Sequence, residues 1–292
     1  MNSKLPLNQP NLWLKKFPWK KKKDHKYSRG KLVIIGSKKN MTGATILSAE
    51  SALRVGTGSV KILCSKDTLP IYSIKFPSVL KEEISSLKSL NALVKKEKDS
   101  VFLIGPGAGS DNLTKEKTSL ILKKIKNVLV DADSLTCFKK NPKELYALLD
   151  KNKVITPHIK EFHSIFPSIK KNLNKKIKIL KAISLTKTNI VLKGHITLIG
   201  SFNGTVVCNK NTSSELAVIG SGDVLSGLIA SLIGRKKLIP FLAACAGVWI
   251  HGELAKKKGP GLIAEDIVKA IPHILKKLKN GKFIRKRSGK QS

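Results

Sequence analysis

The chain has 292 residues, a mass of 31.9 kDa and a 41% hydrophobic composition, enough apolar material for the core of one large α/β unit. Its formal charge of +37 would alone suggest a polyanion partner. Yet arginine is confined to Arg29, Arg54, Arg235, Arg285 and Arg287, the lysines are dispersed, and only 5% of residues are aromatic, so the surface is poorly suited to reading or stacking on bases. We therefore expect a solvated basic surface with no specific nucleic-acid partner. Cys64, Cys137, Cys208 and Cys245 are far apart with no CxxC, which argues against a disulfide framework or structural zinc and fits a reducing cytoplasm. The longest apolar run, 238–250, is too short to span a bilayer and no apolar leader is present, so a soluble cytoplasmic protein is expected.

Residues 1–30 combine Pro6, Pro10 and Pro18 with Trp13, Trp19 and a lysine run at 20–23, and are expected to lie as a basic arm against a domain spanning 31–278. KLVII at 31–35 is a buried strand ending in Gly36-Ser37. Thr42 then caps a helix on which Ile46, Ala49 and Leu53 share a face, with small Gly43 and Ala44 leaving room for a ligand. Gly56 and Gly58 stop that helix, and 59–64 is the next strand. A further strand at 101–104 runs into GPGAG at 105–109, either a ligand-facing loop rich in exposed N–H groups or an ordinary tight turn. The strand 128–130 precedes Asp131-Ala132-Asp133, whose carboxylates could hold Mg2+ through water or cap the following helix; no metal ligand is assigned from the sequence.

The strand 153–155 leads to Thr156-Pro157-His158, where proline fixes the entry of a helix and sets His158 in its first turn, with Glu161 on the same face. Residues 171–187 form a basic helix to which no chemistry is assigned. Strands at 189–192 and 196–199 surround Lys193-Gly194, and a hairpin through Asn203-Gly204 returns along 205–208. GSGDVLSG at 220–227 opens an apolar helical run at 224–233. Gly220, Ser221 and Gly222 let the backbone approach a ligand, and the free N–H groups of the helix N-terminus favour phosphate. Asp223 beside such a phosphate is either a proton acceptor or a residue that merely complements the helix dipole. The dipole also predicts that Asp223 is ionised at neutral pH with no upward pKa shift. Three helices follow, the second carrying His251, which we read as structural, and 279–292 is a basic tail. In an open α/β sheet the loops after strands face one crevice, which would gather four of these stretches at one site.

With these loops in view the chain resembles the ADP- or ATP-dependent NAD(P)H-hydrate dehydratases of the ribokinase-like superfamily. HKYSRGKLVIIGS, TGA, ALRVGTGSV, GPGAG, VDADSL, TPHIKEF, VLKGHIT and GSGDVLSG occur in family order and cover nearly the whole chain. The resemblance implies an α/β fold with a central, mostly parallel sheet flanked by helices on both faces. It implies dehydration of NADHX or NADPHX to the normal cofactor, driven by ADP (or ATP) with Mg2+ and leaving AMP and phosphate when the nucleotide is ADP. Asp223 would be the catalytic base and, with Ala44, Gly107 and His158, would contact the hydrate. Lys193, Gly194, His195, Ile196 and Thr197, with Gly220, Ser221 and Gly222, would hold the nucleotide. A homotetramer and an NAD(P)H-hydrate epimerase as functional partner are further implications.

Two departures from the family pattern stand out. Asn209 is followed by Thr212-Ser213 where the family has Gly-Asn, and β-branched Ile219 replaces a glycine before Gly220, so the loop is either built differently or strained. A ribokinase-like kinase of a small alcohol, such as a thiazole or pyrimidine vitamin precursor, would use the same anion hole and base, and a lysine-rich nucleic-acid-binding protein would explain the charge but not the glycine loops.

Overall fold

The computed structural model describes residues 5–233, 235, 238–281 and 283, so most of the expected basic tail at 279–292 lies outside the described residues. The strands are β1 (Lys31–Ile35), β2 (Ser59–Cys64), β3 (Leu80–Glu83), β4 (Val101–Ile104), β5 (Val128–Val130), β6 (Lys153–Ile155), β7 (Asn189–Leu192), β8 (Thr197–Gly200) and β9 (Val206–Asn209). They join one sheet in the order β3-β2-β1-β4-β5-β6-β7-β8-β9. Pairing is parallel from β3 to β7 and antiparallel for β7-β8 and β8-β9. The central strands VFLI, VLV and NIVL are buried at every residue, as a parallel sheet covered on both faces requires. Gly204, at φ +90°, makes the expected turn between β8 and β9.

Helices α1 (Thr42–Val55), α2 (Leu69–Lys75), α3 (Leu87–Lys96), α4 (Asn112–Lys124), α5 (Asp133–Thr136), α6 (Pro142–Leu148), α7 (Ile159–Ile165), α8 (Lys175–Thr186), α9 (Ser221–Ile233), α10 (Pro240–Lys258) and α11 (Ala264–Lys279) divide between the two faces. Alternation along the strands does the sorting. Leu32, Ile34, Leu103 and Leu129 pack with α1, α2, α9, α10 and α11, whereas Val33, Ile35, Phe102 and Val130 pack with α3 to α8. The helix α9 is buried from Val224 to Ile233 and lies against α1, α10 and the sheet. A helix apolar all round has no solvent face to offer, and its N-terminus is thereby fixed rigidly at the strand ends.

Three local expectations are corrected. Thr42 does not cap α1: a 3-10 turn at Lys39–Met41 leads into the helix, the N-cap is Met41, and Thr42 is the first helical residue. His158 is not inside the first turn of α7 but is its N-cap. The basic helix is shorter than 171–187, because the side chain of Asn174 caps α8 by accepting from the Ile177 N–H at 2.9 Å.

The segment before β1 docks on the domain. Asn8 N–H donates to the Cys208 carbonyl and Cys208 N–H to that of Pro6, both at 2.8 Å, which covers part of the exposed edge of β9. Trp13 is fully buried, its ring 5.8 Å from that of Trp249. Among the described residues no helix is long and apolar enough to cross a membrane.

Candidate active site

The carboxyl ends of β1, β4, β5, β6 and β7 open toward the N-terminus of α9, where an open α/β sheet ordinarily binds its ligand. Gly107 sits in the loop after β4 at φ +63°, and a Cβ there would lie 2.8 Å from that of Met41 and 2.9 Å from that of Ser37. Its carbonyl accepts from Lys38 N–H at 2.9 Å, so the loops after β1 and β4 close on each other as one wall. Ala44 belongs to the first turn of α1, and one turn further Ser48 Oγ donates to the Asp223 carbonyl at 2.9 Å. The small-residue start of α1 and the start of α9 therefore line one crevice.

At the head of α9, Gly220 takes φ +87°, and a Cβ on it would stand 2.5 Å from Leu47 Cδ1. The glycine that reaches positive φ is thus Gly220 itself. The positive-φ residues other than glycine among those described are Ala132 and Lys187, so Ile219 is unstrained, and its side chain is 99% exposed. The loop is built differently rather than strained. Ile219→Gly should accordingly give no gain in nucleotide affinity; the added freedom of the unbound loop should weaken binding by about 0.5–1 kcal/mol. Titration calorimetry with ADP checks this, and tighter binding would contradict it.

Four ionisable side chains gather beneath the loop. Asp131, 2% exposed at the end of β5, accepts from Lys193 Nζ at 2.9 Å and from Ser226 Oγ of α9 at 2.6 Å. Lys193, at the end of β7, also lies 3.9 Å from Glu161, and its Nζ is 3.8 Å from where a Cβ on Gly222 would be. Burial opposes charge on both Asp131 and Lys193, but each overrides it for the other: the carboxyl is held below its usual range and the ammonium above. Asp223 has no such partner. Burial, reinforced by the Asp131 carboxylate and opposed by Lys193, pushes it up to about 6. This corrects the expectation from the helix dipole: desolvation outweighs the dipole here.

His158 and Glu161 form a capping box at the start of α7. His158 Nδ1 accepts from the N–H groups of Lys160 and Glu161 at 3.1 and 3.3 Å, and Glu161 Oε2 accepts from His158 N–H at 2.7 Å. With Nδ1 occupied as acceptor, the neutral ring carries its proton on Nε2, 3.3 Å from Glu161 Oε1. Lys193 N–H donates to the Pro157 carbonyl at 2.9 Å, which pins this turn beside β7. Gly194, His195 and Ile196 form the exposed turn between β7 and β8, closed by Thr197 Oγ1 donating to the Gly194 carbonyl at 3.1 Å. Beneath the α9 loop, buried His251 places Nε2 3.0 Å from the Ser221 carbonyl and 3.1 Å from its Oγ, supporting the loop from inside.

Residues 32–273 match the family model described as NAD(P)H-hydrate dehydratase. The chain belongs to the NAD(P)H-hydrate dehydratase family. It is 31% identical over 248 residues to the ADP-dependent (S)-NAD(P)H-hydrate dehydratase of Neisseria meningitidis, covering 82% of this chain and 81% of that protein. It is 30% identical to the bifunctional NAD(P)H-hydrate repair enzyme of Escherichia coli over 90% of this chain, and spans about half the length of that relative. The fold is ribokinase-like. An Enterococcus faecalis ribokinase-like superfamily protein superposes with a TM-score of 0.82 at 21% identity, over 94% of this chain and 96% of that one. The Bacillus subtilis ADP/ATP-dependent NAD(P)H-hydrate dehydratase co-crystallized with ATP and Mg2+ does so with a TM-score of 0.77 at 21% identity, over 95% and 99%.

Within this dehydratase fold, Lys193, Gly222 and Asp223 come together, and Glu161, joined to His158 in the capping box, lies 3.9 Å from the same Lys193 ammonium. Ala44 and Gly107 lie on the walls formed by α1 and the loop after β4, and 194–197 forms a rim. The sequence reading left out Ser226 and did not pair Asp131 with Lys193. Both acidic and basic residue stand directly after an apolar strand, but nothing in the sequence says that β5, β6 and β7 are neighbours.

Proposed function

We propose that this chain is an ADP-dependent (S)-NAD(P)H-hydrate dehydratase, converting NADHX or NADPHX to NADH or NADPH with release of AMP and phosphate. The observation that carries the reading is a half-buried Asp223 in the first turn of α9, within the electrostatic reach of the Lys193 ammonium that stands beside Gly222. A nucleotide phosphate would be received by the N–H groups of Gly220 and Gly222 and by Lys193, with Ser221, whose own N–H donates to the Val218 carbonyl at 3.3 Å, shaping the turn between them, while Gly194 to Thr197 would line the remainder of the nucleotide. Asp223 would take the proton of the ring hydroxyl as that oxygen attacks the terminal phosphoryl group, and Lys193 would balance the charge that develops. The phosphate then departs from the ring carbon, pushed by the nitrogen lone pair. Ala44, Gly107 and His158 would orient the hydrate.

Among the described residues no three acidic, histidine or cysteine side chains form a metal cage. A Mg2+ would therefore be held chiefly by the nucleotide's phosphate oxygens and water, the usual arrangement for this hard ion, and would supply charge neutralisation. We propose that the catalytic unit is 31–278, with 1–30 as its arm, and that it works as a cytoplasmic homotetramer with an NAD(P)H-hydrate epimerase as functional partner.

The test is incubation with NADH hydrate, Mg2+ and either ADP or ATP, following NADH absorbance and the nucleotide product. NADH with AMP and phosphate, faster from ADP than from ATP, is the expected result; a stable phosphorylated alcohol would instead indicate a small-molecule kinase. The rate should also fall on the acid side. Asp223 must be ionised to accept a proton, and its carboxyl is held near pH 6, so kcat/KM should rise through about pH 6 toward a plateau. A profile flat down to pH 5 would exclude Asp223 as the base.

A further inference from the structure

Loss of water from the hydrate removes two protons in all: one from the hydroxyl oxygen and one from the ring carbon adjacent to the carbon that bears that hydroxyl. On the reading above, Asp223 handles the first. Once phosphate has left, the ring is a cation, and the electron pair of the neighbouring C–H bond must collapse to form the new C=C bond while its proton passes to a base. His158 is unsuited to this, because Nδ1 is occupied by two backbone N–H donors and Nε2 carries the ring proton. Asp131 is locked against Lys193 and Ser226.

We propose that Glu161 is the second base, taking the carbon-bound proton after phosphate departure; this rests on the dehydratase reading. Its side chain is 11% exposed and its Oε2 lies 3.9 Å from Lys193 Nζ, the same ammonium that stands 3.8 Å from where a Cβ on Gly222 would be. One oxygen, Oε2, is held by His158 N–H at 2.7 Å, while Oε1 stands 3.3 Å from His158 Nε2, a residue expected to touch the hydrate. The groups facing it are Lys193, Asp131, His158 and Asp133; burial dominates over them and raises the carboxyl to about 7, suited to accepting and returning a proton near neutrality. Two carboxylates on the first turns of two helices, both acting on one lysine, match a reaction with two proton removals separated by the exit of an anion.

The experiment is Glu161→Gln, which keeps an oxygen to accept from His158 N–H, assayed for AMP and NADH in the same mixture of NADH hydrate, Mg2+ and ADP. The wild-type enzyme should give one NADH per AMP. The variant should continue to form AMP while NADH per AMP falls to about one hundredth, because the cation is recaptured by water and returns to hydrate. A ratio that stays at one, or parallel loss of AMP and NADH in a variant that still binds ADP, would overturn the assignment. Should Glu161→Gln fail to fold, Glu161→Asp retains a carboxylate drawn back by one methylene and should give an intermediate ratio, with an unchanged ratio again overturning it. Absence of AMP from the wild-type mixture would refute the dehydratase reading itself, a separate outcome.

Discussion

Asp223→Asn is expected to lower turnover by about two to four powers of ten while leaving ADP binding intact or improved. The amide keeps the size of the side chain and still sits over the first turn of α9, but it cannot accept the proton of the attacking hydroxyl. Binding moves the other way because a carboxylate beside a phosphate repels it. Stability supplies an independent check. Folding raises the Asp223 carboxyl from 3.8 to about 6, so the native state suffers for its ionisation. That penalty is complete above about pH 6, shrinks as pH falls toward the unfolded value and vanishes below it. The asparagine variant should therefore melt at a higher temperature than wild type at pH 8, with the difference closing near pH 4. A variant that loses activity, ADP affinity and stability together would show Asp223 to be a structural part of the helix start.

Lys193→Met has the opposite character. It should destabilise the protein by about 3–5 kcal/mol, the usual cost of removing one partner of a buried ion pair, because Asp131, 2% exposed, is left with the neutral hydroxyls of Ser226 and Thr156 and no countercharge. In the wild type the Asp131 carboxyl is held below its ordinary 3.8, so the pair contributes stability at pH values above the unfolded value and loses it as pH falls through the lowered folded one. The variant reverses this dependence: an unpaired buried carboxylate is easier to bury protonated, so its deficit against wild type should narrow as pH falls toward 5. Urea unfolding at pH 8 and pH 5 measures both. The double variant Lys193→Met/Asp131→Asn should recover much of the loss, since no lone charge remains. Equal urea midpoints for wild type and Lys193→Met at pH 8 would mean that the pair is solvated in solution. Nucleotide binding should weaken in both variants, because the ammonium beside Gly222 is gone.

Stability and activity thus conflict within this site. Asp131 and Lys193 satisfy each other, whereas Asp223 and Glu161 are held at carboxyl values near neutral by burial that nothing nearby fully offsets. Groups kept in this condition are suited to proton transfer and work against the folded state.

The sequence by itself determined the strands and the loops. Short apolar runs such as VFLI, VLV and NIVL can be buried only as covered strands, and glycine, proline or an ionisable residue directly after each run marks where the backbone must turn toward a ligand. GSGD was legible for the same local reason: without Cβ atoms the chain can expose N–H groups at a helix start. The family followed from eight such stretches in order. What only the tertiary structure decided is which ends meet. The order β5-β6-β7 brings Lys193 to Asp131 across 62 positions of sequence, and α9 adds Ser226 to the same carboxylate. Local rules also left the loop at Ile219 undecided and misjudged Asp223. Positive φ falls at Gly220, where Leu47 and Ala264 also leave no room for a Cβ, and the Asp223 carboxyl is raised because burial beside Asp131 outweighs a helix dipole that a sequence reading can see. Periodicity and turn chemistry act over a few residues and are written along the chain; desolvation and ion pairing depend on neighbours that only the folded sheet supplies.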